Sequence, residues 1–138
     1  MNVFVIGVGL IGGSMVLDIK SNYPEAIIYG MDSNEKHLRE ALEIGVIEHQ
    51  AKLEDVNIAD IVIVSIPVDV QLEVIPKVLD LINDDCLLMD VGSTKEQICK
   101  VLENHPKRRN YLATHPIAGT EFSGPTAAHL GLFNQKTN

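Results

Sequence analysis

The chain has 138 residues, of which 46% are hydrophobic and 22% are charged, the size and composition of one globular domain; this excludes a disordered or collagen-like chain. Its 19 acidic and 11 basic side chains give a formal net charge of −8, so no basic field is available to hold a nucleic acid, and none is expected as a partner. Two cysteines, Cys86 and Cys99, lack CxxC spacing and are too few for a disulfide framework, which suits a cytoplasmic protein.

The first twenty residues are apolar enough to imitate a secretory signal. Their first basic residue, Lys20, follows the apolar stretch instead of preceding it, which favours a buried strand followed by a glycine turn. No uncharged run reaches the ~18 residues of a membrane span, so no membrane partner is expected.

Short apolar runs predict strands at residues 3–6, 27–31, 61–66, 87–90 and 111–114, with a weaker one near Val46 and Ile47. Most of these runs are apolar throughout, as in strands that are buried on both faces. Segments of helical period lie between them. The alternation predicts an α/β fold, a doubly wound and mostly parallel sheet with helices on both faces.

Two of the intervening segments have clear apolar stripes. The stripe at 38–45 predicts a helix with Ser33 or Asn34 as its cap and Gly45 as its terminator. The stripe at 72–82 predicts a second helix of the same kind.

A glycine-rich motif follows the first predicted strand. Residues 7–12, Gly-Val-Gly-Leu-Ile-Gly, have GxGxxG spacing and open a predicted helix. Gly7 would permit a tight turn, Gly9 would let the backbone approach a diphosphate, and Gly12 would allow close packing of the helix on the strand. The amides at the start of the helix would face the phosphates. The predicted cofactor-binding residues of this motif are Gly7, Gly9, Leu10, Ile11 and Gly12.

An acidic residue follows at the distance that such a motif requires. Asp32 ends the second predicted strand, 20 residues after Gly12, where its carboxylate can accept hydrogen bonds from an adenosine ribose. It would repel a 2′-phosphate, and Ser33 and Asn34 offer no guanidinium to offset that repulsion. The sequence therefore predicts NAD over NADP, with FAD as a minor alternative. The other interpretation is that the glycines only permit a tight turn and that Asp32 caps the next helix.

Polar segments also follow the later strands, at the edge where open α/β sheets bind ligands. They are SIPV from Ser65, DVGSTK at 90–95 and HPIAGTEFSG at 115–124. Thr94 and Gln97 have capping-box spacing, which predicts a third helix and leaves the preceding residue, a serine, in the turn.

Together with GVGLIGGS at 7–14, these segments strongly resemble the prephenate dehydrogenase family of tyrosine biosynthesis, which includes arogenate dehydrogenases. The resemblance covers about residues 3–124, and HPIAGTE after DVGSTK is its most specific part. It implies that His115 and Ser93 contact the reacting hydroxyl. It also implies a cofactor site that includes Ser33, Ser65 and Pro67, and a loop near the substrate that contains Thr120 and Glu121.

The chemistry of this family explains why a histidine would be needed. Oxidation of prephenate by NAD lets carbon dioxide depart as the ring becomes aromatic, giving 4-hydroxyphenylpyruvate. A neutral imidazole, with an ordinary pKa of about 6.5, can accept a hydrogen bond from the ring hydroxyl near neutral pH, and Ser93 can position that hydroxyl. The substrate expected is prephenate or arogenate. The alternatives are a stand-alone NAD-binding sensor or regulatory module without catalysis and, less favoured, a methyltransferase-type nucleotide domain.

The resemblance also implies a second domain. Family members continue into a helical dimerisation domain that supplies arginine and histidine for the substrate's carboxylates, so the full-length form is expected to be a homodimer. Arg39, Arg108 and Arg109 are expected on a helix and before the last strand, away from the site. We therefore expect residues 1–138 to be the dinucleotide-binding domain alone, able to bind NAD but poor at turning over prephenate.

The remaining candidate side chains receive no role. His37 is expected to be solvated on a helix, and His49, His105 and His129 lack the company that a metal site requires, so no metal is predicted. Lys95 could neutralise a phosphate or a carboxylate, or point into solvent.

Overall fold

A six-stranded parallel sheet forms the centre of the computed structural model, which describes residues 1–137. The strands lie in the order 3-2-1-4-5-6, and every neighbouring pair is parallel. The strand order reverses beside the first strand, and this switch point is where open sheets form a ligand crevice. The strands are β1 (Asn2–Ile6), β2 (Ile27–Met31), β3 (His49–Gln50), β4 (Ile61–Val64), β5 (Leu87–Asp90) and β6 (Tyr111–Ala113).

Among the residues that the structure describes, four α-helices cover the two faces of this sheet. They are α1 (Leu10–Asn22), α2 (Glu35–Glu43), α3 (Val68–Leu81) and α4 (Glu96–Leu102), with 3₁₀ turns at Leu53–Ile58, Arg108–Asn110 and Pro125–Ala127. Helices α1 and α2 pack on one face, and α3 and α4 pack on the other. The predicted doubly wound α/β fold is confirmed.

The central strands are apolar at most positions because both of their faces are buried. Val62, Ile63 and Val64 of β4 are fully buried, and successive residues alternate between two separate cores. The ring of Phe4 in β1 stacks on that of Tyr29 in β2, with 4.5 Å between the ring centroids. Because most positions of these strands face a core, the sequence shows nearly continuous apolar runs.

Four of the predicted strand positions are wrong. Strand β1 begins at Asn2, one residue before the run at 3–6. The run at 61–66 stops being a strand at Val64, because Pro67 then caps α3. The last strand ends at Ala113, one residue early. The weak strand lies at His49–Gln50, whereas Val46 and Ile47 fill the core beside α2.

The helix ends follow the predictions in part. The side chain of Asn34 accepts a hydrogen bond from the Lys36 amide and caps α2, and Gly45 ends that segment with a φ of +75°. The capping box of Thr94 and Gln97 is wrong, because α4 begins after Lys95 without a side-chain cap. Among residues 1–137, no helix combines the length and the hydropathy that crossing a membrane would require.

Candidate functional site

A cleft of about 620 Å³ opens at the switch point, beyond the carboxyl ends of β1, β2 and β4. Apolar side chains form much of its wall, with a few polar groups among them, which is the usual composition of a small-molecule site. It is lined by Ile6, Gly7, Gly9, Met31, Asp32, Ser33, His37, Ala51, Ser65, Ile66, Pro67, Val70 and Val74. A second cavity, of about 600 Å³, lies at the opposite edge of the sheet, where Asp60, Asp84 and Asp85 would repel a diphosphate.

The three glycines of the motif differ in what requires them. A Cβ at Gly7, where φ is +95°, would lie 2.2 Å from the carbonyl oxygen of Ser65, and a Cβ at Gly12 would lie 2.2 Å from the carbonyl oxygen of Gly7. Packing within the protein therefore demands both glycines. A Cβ at Gly9 would meet no atom within 4 Å, and its φ of −77° suits any residue. The fold leaves this position open toward the cleft, as close approach of a ligand would require.

The start of α1 presents free donors beside that open position. Gly9 caps α1 without a side-chain hydrogen bond, and the first turn contains no acidic residue. The amide of Gly13 already donates to the carbonyl of Gly9, at 2.8 Å. The earlier amides, including those of Leu10 and Ile11, have no intrahelical acceptor, so the positive end of α1 can bind an anion.

The carboxylate of Asp32 joins the glycine motif to α2. One of its oxygens accepts a hydrogen bond from the Val8 amide at 3.1 Å, and the other accepts from the Asn34 amide at 2.9 Å. Its side chain is only 13% exposed, yet it lines the cleft. The acid thus lies beside the glycine motif, and the helix cap itself is Asn34, not Asp32.

His37 lies on α2 and is partly exposed, as expected, but it also lines the cleft. Its Nδ1 atom is 3.8 Å from Oδ2 of Asp32, and its side chain is 35% exposed. Its lysine and arginine neighbours are typical of a solvated helix, so no local pattern indicated this position.

The arginines divide between the two edges of the sheet. Arg108 donates to the carbonyl of Tyr111 at 3.0 Å, and Arg109 lies 3.8 Å from Asp84, so both are away from the cleft as expected. Arg39 was expected to be away from it too, and this is wrong. It lines a cavity of about 520 Å³ that also includes Asp32 and Ser33, next to the main cleft.

The later polar segments reach the same edge of the sheet, but the described residues do not form one continuous cavity there. Ser93 is exposed in the turn after β5, as predicted. His115 is exposed after β6 and lines a separate cavity of about 350 Å³ with residues 116–119 and Lys136. Thr120 and Glu121 are exposed in the loop that follows.

The chain then returns across the sheet to α1, through a segment that we call the return segment, residues 125–131. The His129 amide donates to the buried hydroxyl of Ser14 at 3.1 Å, and the Gly131 amide donates to Asp18 at 2.7 Å. A Cβ at Gly13 would lie 2.7 Å from that of Ala128. Packing of the return segment therefore accounts for the Gly13-Ser14 pair that follows the glycine motif.

A buried polar cluster lies under the turns that carry Ser93 and His115. Lys95 pairs with the carboxylate of Asp90, so the carboxylate that this lysine neutralises belongs to the protein itself. Tyr111 donates to the same carboxylate at 2.6 Å. Burial raises the pKa of the Tyr111 phenol, and the hydrogen bond to Asp90 raises it further, so the phenol stays a donor at neutral pH.

Comparison with known proteins decides the family. A family model described as the nucleotide-binding domain of prephenate dehydrogenase matches residues 15–138. The chain belongs to the prephenate dehydrogenase family. The matched range begins after the glycine motif at residues 7–12.

Individual members of the prephenate dehydrogenase family agree with this match. A prephenate dehydrogenase of Bacillus subtilis is 36% identical in an alignment of 135 positions that covers 95% of this chain and 36% of the relative. One from Lactococcus lactis is 35% identical over 95% of this chain and 38% of the relative. The crystal structure of the A. aeolicus prephenate dehydrogenase in complex with hydroxyphenyl propionate and NAD+ superposes with a TM-score of 0.88, at 31% identity, over 99% of this chain and 48% of that one.

These comparisons bear on two earlier expectations. The chain spans less than half the length of each of the three relatives. None of the three is a regulatory module, so the sensor hypothesis gains no support from them.

Among residues 1–137, no group of three or more His, Cys, Asp or Glu side chains is arranged to hold a metal ion.

Proposed function

We propose that this chain is the NAD-binding domain of an enzyme that oxidatively decarboxylates prephenate to 4-hydroxyphenylpyruvate. The observation that carries the proposal is the open backbone position at Gly9, beside Asp32 and the free amides of α1. The names of the B. subtilis and L. lactis relatives support the reaction. The NAD+ complex of the A. aeolicus relative supports the cofactor.

The residues of the cleft fit such a cofactor. The amides of Gly9, Leu10 and Ile11 would hold the diphosphate at the positive end of α1, and Asp32 would accept hydrogen bonds from the adenosine ribose. Gly7 and Gly12 keep that turn tight, while Ser33, Ser65 and Pro67 border the same cleft. When bound, NAD+ supplies the hydride acceptor.

We assign the handling of the substrate's hydroxyl to two other residues. The neutral imidazole of His115 would accept a hydrogen bond from that hydroxyl, which stabilises the carbon as it becomes electron-poor. Ser93 would hold the hydroxyl in line, and Thr120 and Glu121 would border the substrate from the loop that follows. Both His115 and Ser93 follow strands at the carboxyl edge, the edge that also carries the glycine motif.

The substrate is a small dianion, and its carboxylates need cations that these residues do not supply. We propose that arginine and histidine side chains of a helical second domain bind those carboxylates in a dimeric, cytoplasmic enzyme, with residues 1–138 as its dinucleotide-binding domain. That domain would also distinguish prephenate from arogenate, since the two substrates differ in a side chain remote from the hydroxyl.

Calorimetric titration tests the cofactor. We expect the chain to bind NAD+ more tightly than NADP+. The substitution Asp32→Asn should lower the affinity for NAD+ by about ten- to a hundredfold, which corresponds to the loss of a hydrogen bond to a charged group. The same change should reduce the ratio of the NAD+ affinity to the NADP+ affinity, because Arg39 then faces a 2′-phosphate without a competing carboxylate. Adding Arg39→Ala to the Asp32→Asn variant should raise that ratio again. Absence of heat with both nucleotides would refute the proposal.

An absorbance assay for NADH tests the reaction. With prephenate, we expect little turnover from residues 1–138 and rapid turnover from a protein that also carries the helical domain. There, His115→Asn should abolish turnover and leave NAD+ affinity unchanged, while His49→Asn, on the far edge strand, serves as the matched control. Full activity of the His115 variant would remove that residue from the mechanism.

A further inference from the structure

The carboxylate of Asp90 lies at the end of β5 and is fully buried. Removing a charged group from water costs several kcal/mol unless hydrogen bonds and an opposite charge replace the water. An apolar residue at such a position would often make a protein more stable. The proposed reaction gives this carboxylate no direct role, so its presence calls for another reason.

The partners of Asp90 come from three separate parts of the chain. Its Oδ2 atom accepts hydrogen bonds from the Gly92 amide, at 2.9 Å, and from the ammonium of Lys95. Its Oδ1 atom accepts from the hydroxyl of Tyr111 at 2.6 Å. Its main-chain carbonyl accepts from the hydroxyl of Thr114. One residue therefore ties together β5, the turn before α4, and both ends of β6.

Two of these four contacts lie next to a residue of the proposed site. Gly92 precedes Ser93, and Thr114 precedes His115. The turn also has little freedom to move, because a Cβ at Gly92 would lie 2.8 Å from the amide oxygen of Gln71, a fully buried side chain of α3. The amide of Gln71 donates in turn to the carbonyl of Ile66, in the turn that lines the cleft, at 2.8 Å.

We infer that Asp90 is a positioning residue, whose buried charge holds the turn of Ser93 and the start of the His115 loop in register at the nicotinamide end of the dinucleotide. This inference rests on the proposed function. It assigns Lys95 to an internal ion pair instead of to the substrate. Directed hydrogen bonds to one carboxylate fix relative geometry in a way that apolar contacts do not, which accounts for a charge that stability alone would not favour.

Two ligands separate positioning from general stability. ADP-ribose contains the adenosine, the diphosphate and the second ribose but no nicotinamide, so it reports on the glycine motif and Asp32. NADH carries the dihydronicotinamide, whose fluorescence changes when the ring is held against the protein. The measurements are fluorescence titration with NADH and its competition by ADP-ribose, on the 138-residue chain.

We expect Asp90→Asn to lower the affinity for NADH by about tenfold and to abolish the change in NADH fluorescence on binding. The affinity for ADP-ribose should stay within about twofold of that of the unsubstituted chain. Tyr111→Phe, which removes one hydrogen bond and leaves the ion pair intact, should shift NADH in the same direction by a smaller factor, and it carries the test if the first variant does not fold. The matched control is Asp84→Asn, since Asp84 is an exposed, ion-paired acid at the opposite edge of the sheet. This variant should leave the affinities for NADH and for ADP-ribose unchanged.

The outcomes separate the two proposals. The inference would be overturned if a folded Asp90→Asn variant kept the NADH affinity and the fluorescence change of the unsubstituted chain. It would also be overturned if the affinities for NADH and ADP-ribose fell in parallel, since that would indicate a role in general stability only. An original chain that binds ADP-ribose and NADH without any emission change would also overturn it, because the nicotinamide would then not lie against this turn. A chain that binds neither ligand would refute the proposed function itself.

Discussion

Replacing Gly9 by alanine should separate folding from binding. The added Cβ would meet no protein atom within 4 Å, and the backbone there, with φ −77° and ψ −162°, is open to any residue. Loss of unfolded-state freedom should stabilise the variant by ~0.4–1 kcal/mol. The poorer capping by alanine than by glycine should cost a similar amount. We therefore expect the free energy of unfolding to change by less than about 1 kcal/mol.

The matched variant, Gly12→Ala, should behave in the opposite way. Its Cβ would lie 2.2 Å from the carbonyl oxygen of Gly7 and 2.8 Å from the side chain of Val5, so backbone must move. The gain in helix propensity is about 1 kcal/mol, whereas overpacking of this kind costs about 3 kcal/mol or more. The net result should be a clearly destabilised protein.

Binding should then show why Gly9 is a glycine. The methyl group of Gly9→Ala would occupy the space through which a diphosphate reaches the amides of α1, so NAD+ affinity should fall by about tenfold or more. Urea unfolding and calorimetric titration on the same preparations give both quantities. A stable Gly9→Ala variant with the original NAD+ affinity would show that no diphosphate approaches this backbone, and a strongly destabilised one would show that the packing argument is wrong.

Two further predictions concern stability. Burial raises the pKa of the Cys86 thiol to about 11 from an ordinary value of 9.0, so the thiol contributes stability that is complete below pH 9 and is lost as pH rises toward 11. Over this pH range, the urea midpoint should therefore fall less in Cys86→Ala than in a Cys99→Ala control. Equal falls in the two variants would contradict the assignment. Gly13→Ala should cost ~1–3 kcal/mol by contact with Ala128, and adding Ala128→Gly should recover part of that loss in a double-mutant cycle of urea unfolding; a strictly additive result would exclude the contact.

The sheet was predictable because its strands are buried on both faces. The runs at 27–31 and 87–90 match β2 and β5 at both ends. Residues 46–47 misled because apolar residues that fill a core between elements look the same in a sequence as a short strand. The start of α4 was predicted wrongly because Lys95, the residue before the helix, forms an ion pair with Asp90 in the folded chain.

The site was predictable where its signals are local. The glycine motif and Asp32 meet at the cleft because strand order and spacing bring them there. His37 and Arg39 were missed because their charged neighbours are typical of a solvated helix, and only the angle at which α2 packs turns them toward Asp32. The buried cluster of Asp90 was missed because its partners are spread from Gly92 to Thr114 along the chain.

The return segment gives one continuous piece of chain two fixed ends. The chain leaves the sheet at His115, after β6, and ten residues later the return segment begins, which is hydrogen-bonded to Ser14 and Asp18 of α1. A ligand that displaces α1 would therefore displace the return segment, and a ligand that orders residues 115–124 would act on α1 through the same hydrogen bonds. Thermodynamic reciprocity then requires that each ligand alter the affinity for the other by the same factor, whatever its size.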